Sequence, residues 1–119
     1  MTANAGETEI IVRRHLQAFV EQQGLDAILA DYADDACFLN DDRAYCGKPA
    51  IRGFFNDFVA ALPPDAISQF KLHSLLAKGD VAYITWSAGQ KLPLGTDTFV
   101  VRQGRIVSQT FAMYADPAN

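Results

Sequence analysis

Three polar side chains of this sequence sit where an apolar one would be expected, and together they could do acid–base chemistry: Asp97, His15 and Gln109. Asp97 shares a strand face with Phe99 and Val101, because side chains two apart on a strand point the same way. A carboxylate aimed at a core is costly unless it is paired, hydrogen-bonded or neutral. It would be either a pocket acid and proton donor or a structural carboxylate held by a backbone amide or a threonine. His15 lies on an apolar helical stripe, one turn from Ile11 and one from Phe19. It would be either a core histidine with a satisfied ring nitrogen or a proton carrier acting near neutral pH. Gln109, on the face of Phe111, could bond a ligand or Asp97 itself.

Around these residues stands an aromatic-rich set: Phe19, Tyr32, Phe55, Phe58, Trp86, Phe99 and Phe111, with Met113. Such residues are ordinary core packing, a cavity lining, or some of each. Other chemistries find no support. HExxH, GxSxG and phosphate-binding glycine loops are missing, and two distant histidines make no metal site. Lys71 shares the strand face of His73, which suits a surface position. Cys37 and Cys46 have neither CxxC spacing nor a second pair, so they are expected as two reduced thiols in or near the core.

The elements that must position these residues follow from periodicity. Ile11, His15, Ala18, Phe19 and Gln22 recur at helical spacing, and Gly24 stops that helix. A short second helix is predicted with Leu25, Ile28, Leu29 and Tyr32 on one side, closed by Asp34-Asp35. Ala36 to Leu39 reads as a short strand, and Asn40 to Arg43 as a polar loop. Pro49 suits the first turn of a third helix with Ile51, Phe55, Phe58 and Leu62 on its apolar face, ended by Pro63-Pro64.

Four strands are predicted after that, over Gln69–Lys78, Val81–Gln90, Thr96–Arg102 and Arg105–Tyr114, joined at Gly79-Asp80, Lys91–Gly95 and Gln103-Gly104. Helices first and strands afterwards mean an α+β fold with an antiparallel sheet. One sheet face is large and apolar: Ile84, Trp86 and Ala88, then Asp97, Phe99 and Val101, then Val107, Gln109, Phe111 and Met113. The opposite face is rich in Ser and Thr, with Thr85, Thr98 and Thr110 among them, and few charges. It is read as a subunit contact.

Half of the 119 residues are hydrophobic and 20% are charged, which fits one globular domain over residues 1–119. The net charge of −4 disfavours nucleic acid as a partner. No apolar run is long enough to span a bilayer, and Met1 to Glu7 lacks a basic stretch followed by an apolar one, so the cytoplasm is the expected compartment.

The order of elements resembles the nuclear transport factor 2-like superfamily, which includes ketosteroid isomerases and snoaL-like polyketide cyclases. The resemblance runs from about Thr8 to Tyr114 and rests on GLDAILADYADDACF, on GKPAIRGFFNDF and on the closing hairpin DTFVVRQGRIVSQTFAMY. It implies a cone-shaped half-barrel, with a strongly curved sheet wrapped around a long N-terminal helix and two further helices beside it. It also implies a pocket at the open end and pairing through the outer sheet face. Set against the ketosteroid isomerases, His15 stands where their helix tyrosine would be, Asn40 where their aspartate base would be, and Asp97 at their protonated aspartate. A carboxamide is no general base, so Asn40 breaks that mechanism and becomes a pocket-lining candidate.

Two functions are therefore carried forward. The first is cofactor-free proton transfer on a small apolar carbonyl compound by an isomerase, cyclase or dehydratase, with His15 moving the proton and Asp97 orienting it or donating a hydrogen bond to an oxyanion. The second is a dimeric, non-catalytic ligand-binding or assembly domain.

Overall fold

The computed structural model describes residues 4–117. In chain order the elements are α1 (Ala5–Val20), α2 (Leu25–Leu29), β1 (Tyr32–Asn40), β2 (Arg43–Cys46), α3 (Lys48–Ala61), β3 (Phe70–Lys78), β4 (Val81–Ala88), β5 (Leu94–Arg102) and β6 (Arg105–Tyr114). Helix α1 starts at Asn4, whose side-chain oxygen accepts the Glu7 backbone N–H at 2.8 Å while its amide donates to the Glu7 carboxylate at 2.9 Å. The first bond satisfies a backbone N–H that the first turn leaves free, and the second holds the capping side chain in place. The buried stripe of α1 is Thr8, Ile11, Val12, His15 and Ala18. Pro49 sits in the first turn of α3, and Leu62 at its end is already extended, as a residue before proline prefers to be.

The strands form one curved, unclosed six-stranded sheet in the order β2-β1-β6-β5-β4-β3. Helix α1 packs on β3, β4 and β5, and α3 packs on β1 and β2. The apolar sheet face and the helices enclose the core, in which Tyr32, Phe38, Phe99, Ile51 and Ile84 are completely buried.

Several expectations need correction. The β1–β6 pair is parallel, whereas every other pair is antiparallel. Asp34 and Asp35 do not close α2. The helix ends at Leu29, and the Asp31 carbonyl then accepts the Ile106 N–H at 2.7 Å, which draws the chain into β1 from Tyr32 onward. The polar loop is confined to a turn in which Asp41 has φ +54, and β2 follows it. Strand β5 begins two residues early, at Leu94. Val107 is not on the inner face. The β5–β6 register shifts between Val100 and Val101, so Ile106 is buried instead and Val107 is the extra residue of a bulge.

The cysteines are also not free thiols. Cys37 and Cys46 are direct cross-strand partners with Cα atoms 4.1 Å apart, joined by a disulfide. Their side chains lie toward the outside of the β1–β2 hairpin rather than in the core. His73 is exposed, as expected, and its ring nitrogen meets the Ser87 hydroxyl at 2.8 Å.

Candidate functional site

Between the helices and the inner sheet face lies a cavity of about 60 Å³. Its wall is built from α1 (His15, Leu16, Phe19), α3 (Phe54, Phe55, Phe58), the segment after α3 (Leu62, Ala66, Ile67) and the sheet with its loops (Phe38, Phe70, Trp86, Ala88, Leu92, Asp97, Phe99, Gln109, Phe111). His15, Asp97 and Gln109 bring polar groups to an otherwise apolar lining, beside a Trp86 N–H already bonded within the site.

Strand alternation aims Asp97 inward from β5, between Trp86 of β4 and Gln109 of β6. The Trp86 indole N–H donates to Asp97 Oδ1 at 2.8 Å, and the Gln109 amide N–H donates to Oδ2 at 2.8 Å. Both bonds favour the ionised carboxylate. Burial outweighs them and raises the pKa of Asp97 to about 6. Gln109 is turned the only way that suits this acceptor, so its oxygen faces Tyr32, whose hydroxyl donates to it.

His15 is 3% exposed. Its ring stands edge-on to Tyr32, Phe55 and Phe99, with centroids 5.2, 6.1 and 5.8 Å away. Nδ1 lies 3.2 Å from the Ile28 carbonyl, which can only accept, so Nδ1 carries a proton and Nε2 faces the Tyr32 hydroxyl at 3.4 Å. Burial lowers the His15 pKa to about 4, so the imidazole is neutral at neutral pH and forms no ion pair with Asp97. Burial likewise raises the pKa of Tyr32 well above that of a free phenol, keeping the hydroxyl protonated.

Of the residues singled out from sequence, the structure brings His15, Phe19, Phe55, Phe58, Trp86, Asp97, Phe99, Gln109 and Phe111 to the cavity wall. Tyr32, Asn40 and Met113 are not on it. Tyr32, 1% exposed, is tucked behind His15 and Gln109. The Asn40 amide is turned away to the Phe111 carbonyl at 2.9 Å. Met113 is half-buried near the end of β6, opposite Gly95. His15 and Asp97 do not touch; Tyr32 and Gln109 join them. Phe38, Phe54 and Phe70 were missed as lining residues. Phe54 stacks on Phe58, one helical turn on, at 5.6 Å, so it belongs to the face of α3 that serves the wall. Gly95 was missed as well, although a glycine inside a strand often marks a close approach. Here the approaching group is the Trp86 ring.

Among the described residues no group of side chains could hold a metal ion, and no helix is long and apolar enough to cross a membrane. A SnoaL-like domain family matches residues 12–109. No curated protein sequence matches the chain. Among solved structures, an NTF2-like protein of unknown function from Burkholderia xenovorans is similar with a TM-score of 0.76 and 16% identity, over 93% of this chain and 85% of that one. Another, from Mesorhizobium loti, reaches 0.74 with 22% identity over 93% of each chain. A protein from Sinorhizobium meliloti proposed to be a polyketide cyclase reaches 0.71 with 19% identity, over 86% of this chain and 93% of that one. Identities this low carry the fold and nothing finer.

Proposed function

The chain belongs to the SnoaL-like domain family, and from that premise we propose that it is a small-molecule-pocket protein transferring a proton, without a cofactor, on a compact and largely apolar carbonyl compound. The observation that carries this reading is the convergence of Asp97, Gln109 and His15 in one apolar cavity. A substrate with a flat apolar body and one polar end suits that lining better than a sugar or a nucleotide. The small volume, about 60 Å³, speaks against a fused tetracycle.

The roles differ from those expected from sequence. A base works best with a pKa near the operating pH. Asp97, at about 6, is therefore the better proton acceptor, and His15, at about 4, serves as a neutral hydrogen-bonding group. Asp97 removes a proton next to the carbonyl and returns it elsewhere as the acid, while Gln109 orients the carboxyl. That the S. meliloti protein is proposed to be a cyclase is in keeping with this class of reaction.

A non-catalytic binding role is favoured by one specific observation: Asn40 is a carboxamide whose N–H is committed to the Phe111 carbonyl. We further read the outer sheet face as a homodimer contact. Leu76, Tyr83, Thr98, Thr110 and Leu39 form one uncharged row across five strands.

The test is a set of single-ring phenols, ketones and enones screened by calorimetry, followed by solvent deuterium uptake next to the carbonyl of a compound that binds. Uptake lost in Asp97→Asn, with binding retained, is the result expected. Binding with no uptake in the wild type would leave the non-catalytic role, and tight nucleotide binding with no response to aromatic compounds would overturn both.

A further inference from the structure

The hydrogen bonds joining His15 to Asp97 can be counted proton by proton. At one end, His15 Nδ1–H is spent on the Ile28 carbonyl, so Nε2 of the neutral ring is an acceptor facing Tyr32. At the other end, Asp97 Oδ1 is held by the Trp86 N–H, and ionised Oδ2 is an acceptor facing Gln109. Three junctions lie between: His15 with Tyr32, Tyr32 with Gln109, and Gln109 with Asp97. Only two protons are available for them, one on the Tyr32 hydroxyl and one on the inward Gln109 N–H. The first junction is left without one, and it is the long one, at 3.4 Å.

One added proton completes the chain. If it binds Asp97 Oδ2, the new O–H needs an acceptor, and the Gln109 amide must turn over so that its oxygen meets it. The amide N–H then donates to the Tyr32 oxygen, and the Tyr32 hydroxyl turns to donate to His15 Nε2. Each of the three junctions then holds a proton and every group is neutral, the arrangement a low-dielectric interior favours. Placing the proton on His15 instead would also complete the chain, but would leave two separated charges in a dry site. No covalent bond changes except the O–H formed on Asp97; the proton comes from water or from a bound compound.

We propose that His15, Tyr32, Gln109 and Asp97 act as one unit that binds a single proton, with the Gln109 carboxamide turning over as Asp97 takes it up. Tyr32, behind the cavity wall, is thereby a positioning residue, and Gln109 is the switch. When the amide turns, its remaining N–H and its remaining oxygen lone pair exchange places, so the cavity offers a ligand the reverse polarity at that point.

Few other charges bear on the unit. Asp31, just before β1, acts on both His15 and Tyr32 and is itself paired with Arg14 of α1 at 2.5 Å. Strand β4 supplies only the Trp86 N–H, β6 only Gln109, and α3 contributes no charged side chain to the cavity.

The inference deepens the pocket reading above, yet its test uses the free protein. A chain that binds nothing and catalyses nothing can still pass it. The experiment is NMR of the full chain labelled at His, Gln and Asp, titrated from pH 8 to pH 4.5. His15 Nε2 is expected to move upfield as it begins to accept a hydrogen bond, at the midpoint near 6 of the Asp97 carboxyl carbon. The Gln109 side-chain amide should shift at the same midpoint and gain proximity to the Tyr32 ring. In Tyr32→Phe and in Gln109→Met, Asp97 should still titrate while His15 Nε2 no longer follows it; if one variant fails to fold, the other decides. A His15 Nε2 signal unmoved through the Asp97 titration in the wild type would overturn the proposal. So would an unchanged His15 response in both variants.

Discussion

The indole ring of Trp86 lies across the backbone of Gly95, its direct partner on β5, so closely that a Cβ there would come within 2.2 Å of the ring. Gly95 is thus what allows the ring to lie flat, stacked at 10° on Phe111, with its N–H on Asp97. Gly95→Ala should push the ring off the strand and loosen the Asp97 carboxylate. Overpacking of this kind costs about 1–3 kcal/mol. Chemical denaturation checks the stability. Because the chain has one tryptophan, its fluorescence reports the displacement directly. Unchanged stability and an unchanged spectrum would show that the strand moves aside freely.

Two of the buried ionisable groups, Asp97 and His15, should make opposite contributions to stability between pH 4 and 6. Asp97 is raised from 3.8 to about 6, so in this window the folded chain keeps a proton the unfolded chain has released, and stability falls as pH rises. His15 is lowered from 6.5 to about 4, so the unfolded chain holds the extra proton, and stability rises with pH. The slopes should nearly cancel in the wild type. Asp97→Asn should leave a stability that climbs with pH, and His15→Phe one that declines, each by on the order of 3 kcal/mol across its window. Urea unfolding at several pH values measures this. Both variants keeping the wild-type profile would mean that neither group is dry.

The uncharged outer row gives a test of self-association. Thr98 sits at its centre, flanked by Tyr83 and Thr110. If two copies meet there, Thr98→Lys places an unpaired charge in the contact and should weaken the dimer by at least tenfold in Kd, because a buried uncompensated charge costs about 3–5 kcal/mol. Sedimentation of the wild type as a monomer at high micromolar concentration would dispose of the dimer.

The Cys37–Cys46 bridge closes a loop of nine-residue separation. A short loop gives a modest entropic effect, about 2–3 kcal/mol at most. The unreduced protein should show no reactive thiol until a reductant is added, and Cys37→Ser with Cys46→Ser should lower stability by no more than that. Two titratable thiols in the untreated protein would contradict the bridge.

Much of this site could be read from residue order because two periodicities govern it. Helical spacing placed His15 and Phe19 on one stripe, and strand alternation aimed Asp97 inward. Alternation failed at Val107, where the bulge adds a residue and shifts the inner face to Ile106. Strand β2 was invisible because Arg43–Cys46 is four residues long and mostly exposed, too short for a pattern. Tyr32 was misplaced onto a helix because its apolar neighbours fit either element. Pairing with β6, which starts from the Asp31 carbonyl's bond to Ile106 75 residues away, commits the segment to the sheet. Of the route from His15 to Asp97 only the Gln109–Asp97 bond could be read, from their shared sheet face; the part through Tyr32 could not, since it depends on four side chains meeting from three strands and a helix.

The parallel pairing of β1 with β6 bears on how the chain is made. Asn40 bonds the Phe111 carbonyl across 71 residues, so the inner edge of β1 has no partner until the last strand exists. At the usual pace of synthesis, about 5–20 residues per second, that edge waits roughly 4–14 s. During this interval Phe38 and the open strand edge are exposed to other chains, which makes the nascent protein a natural client for chaperones. Because β6 is an interior strand, a chain cut short before Arg105 would keep the hairpins on either side but could not join them.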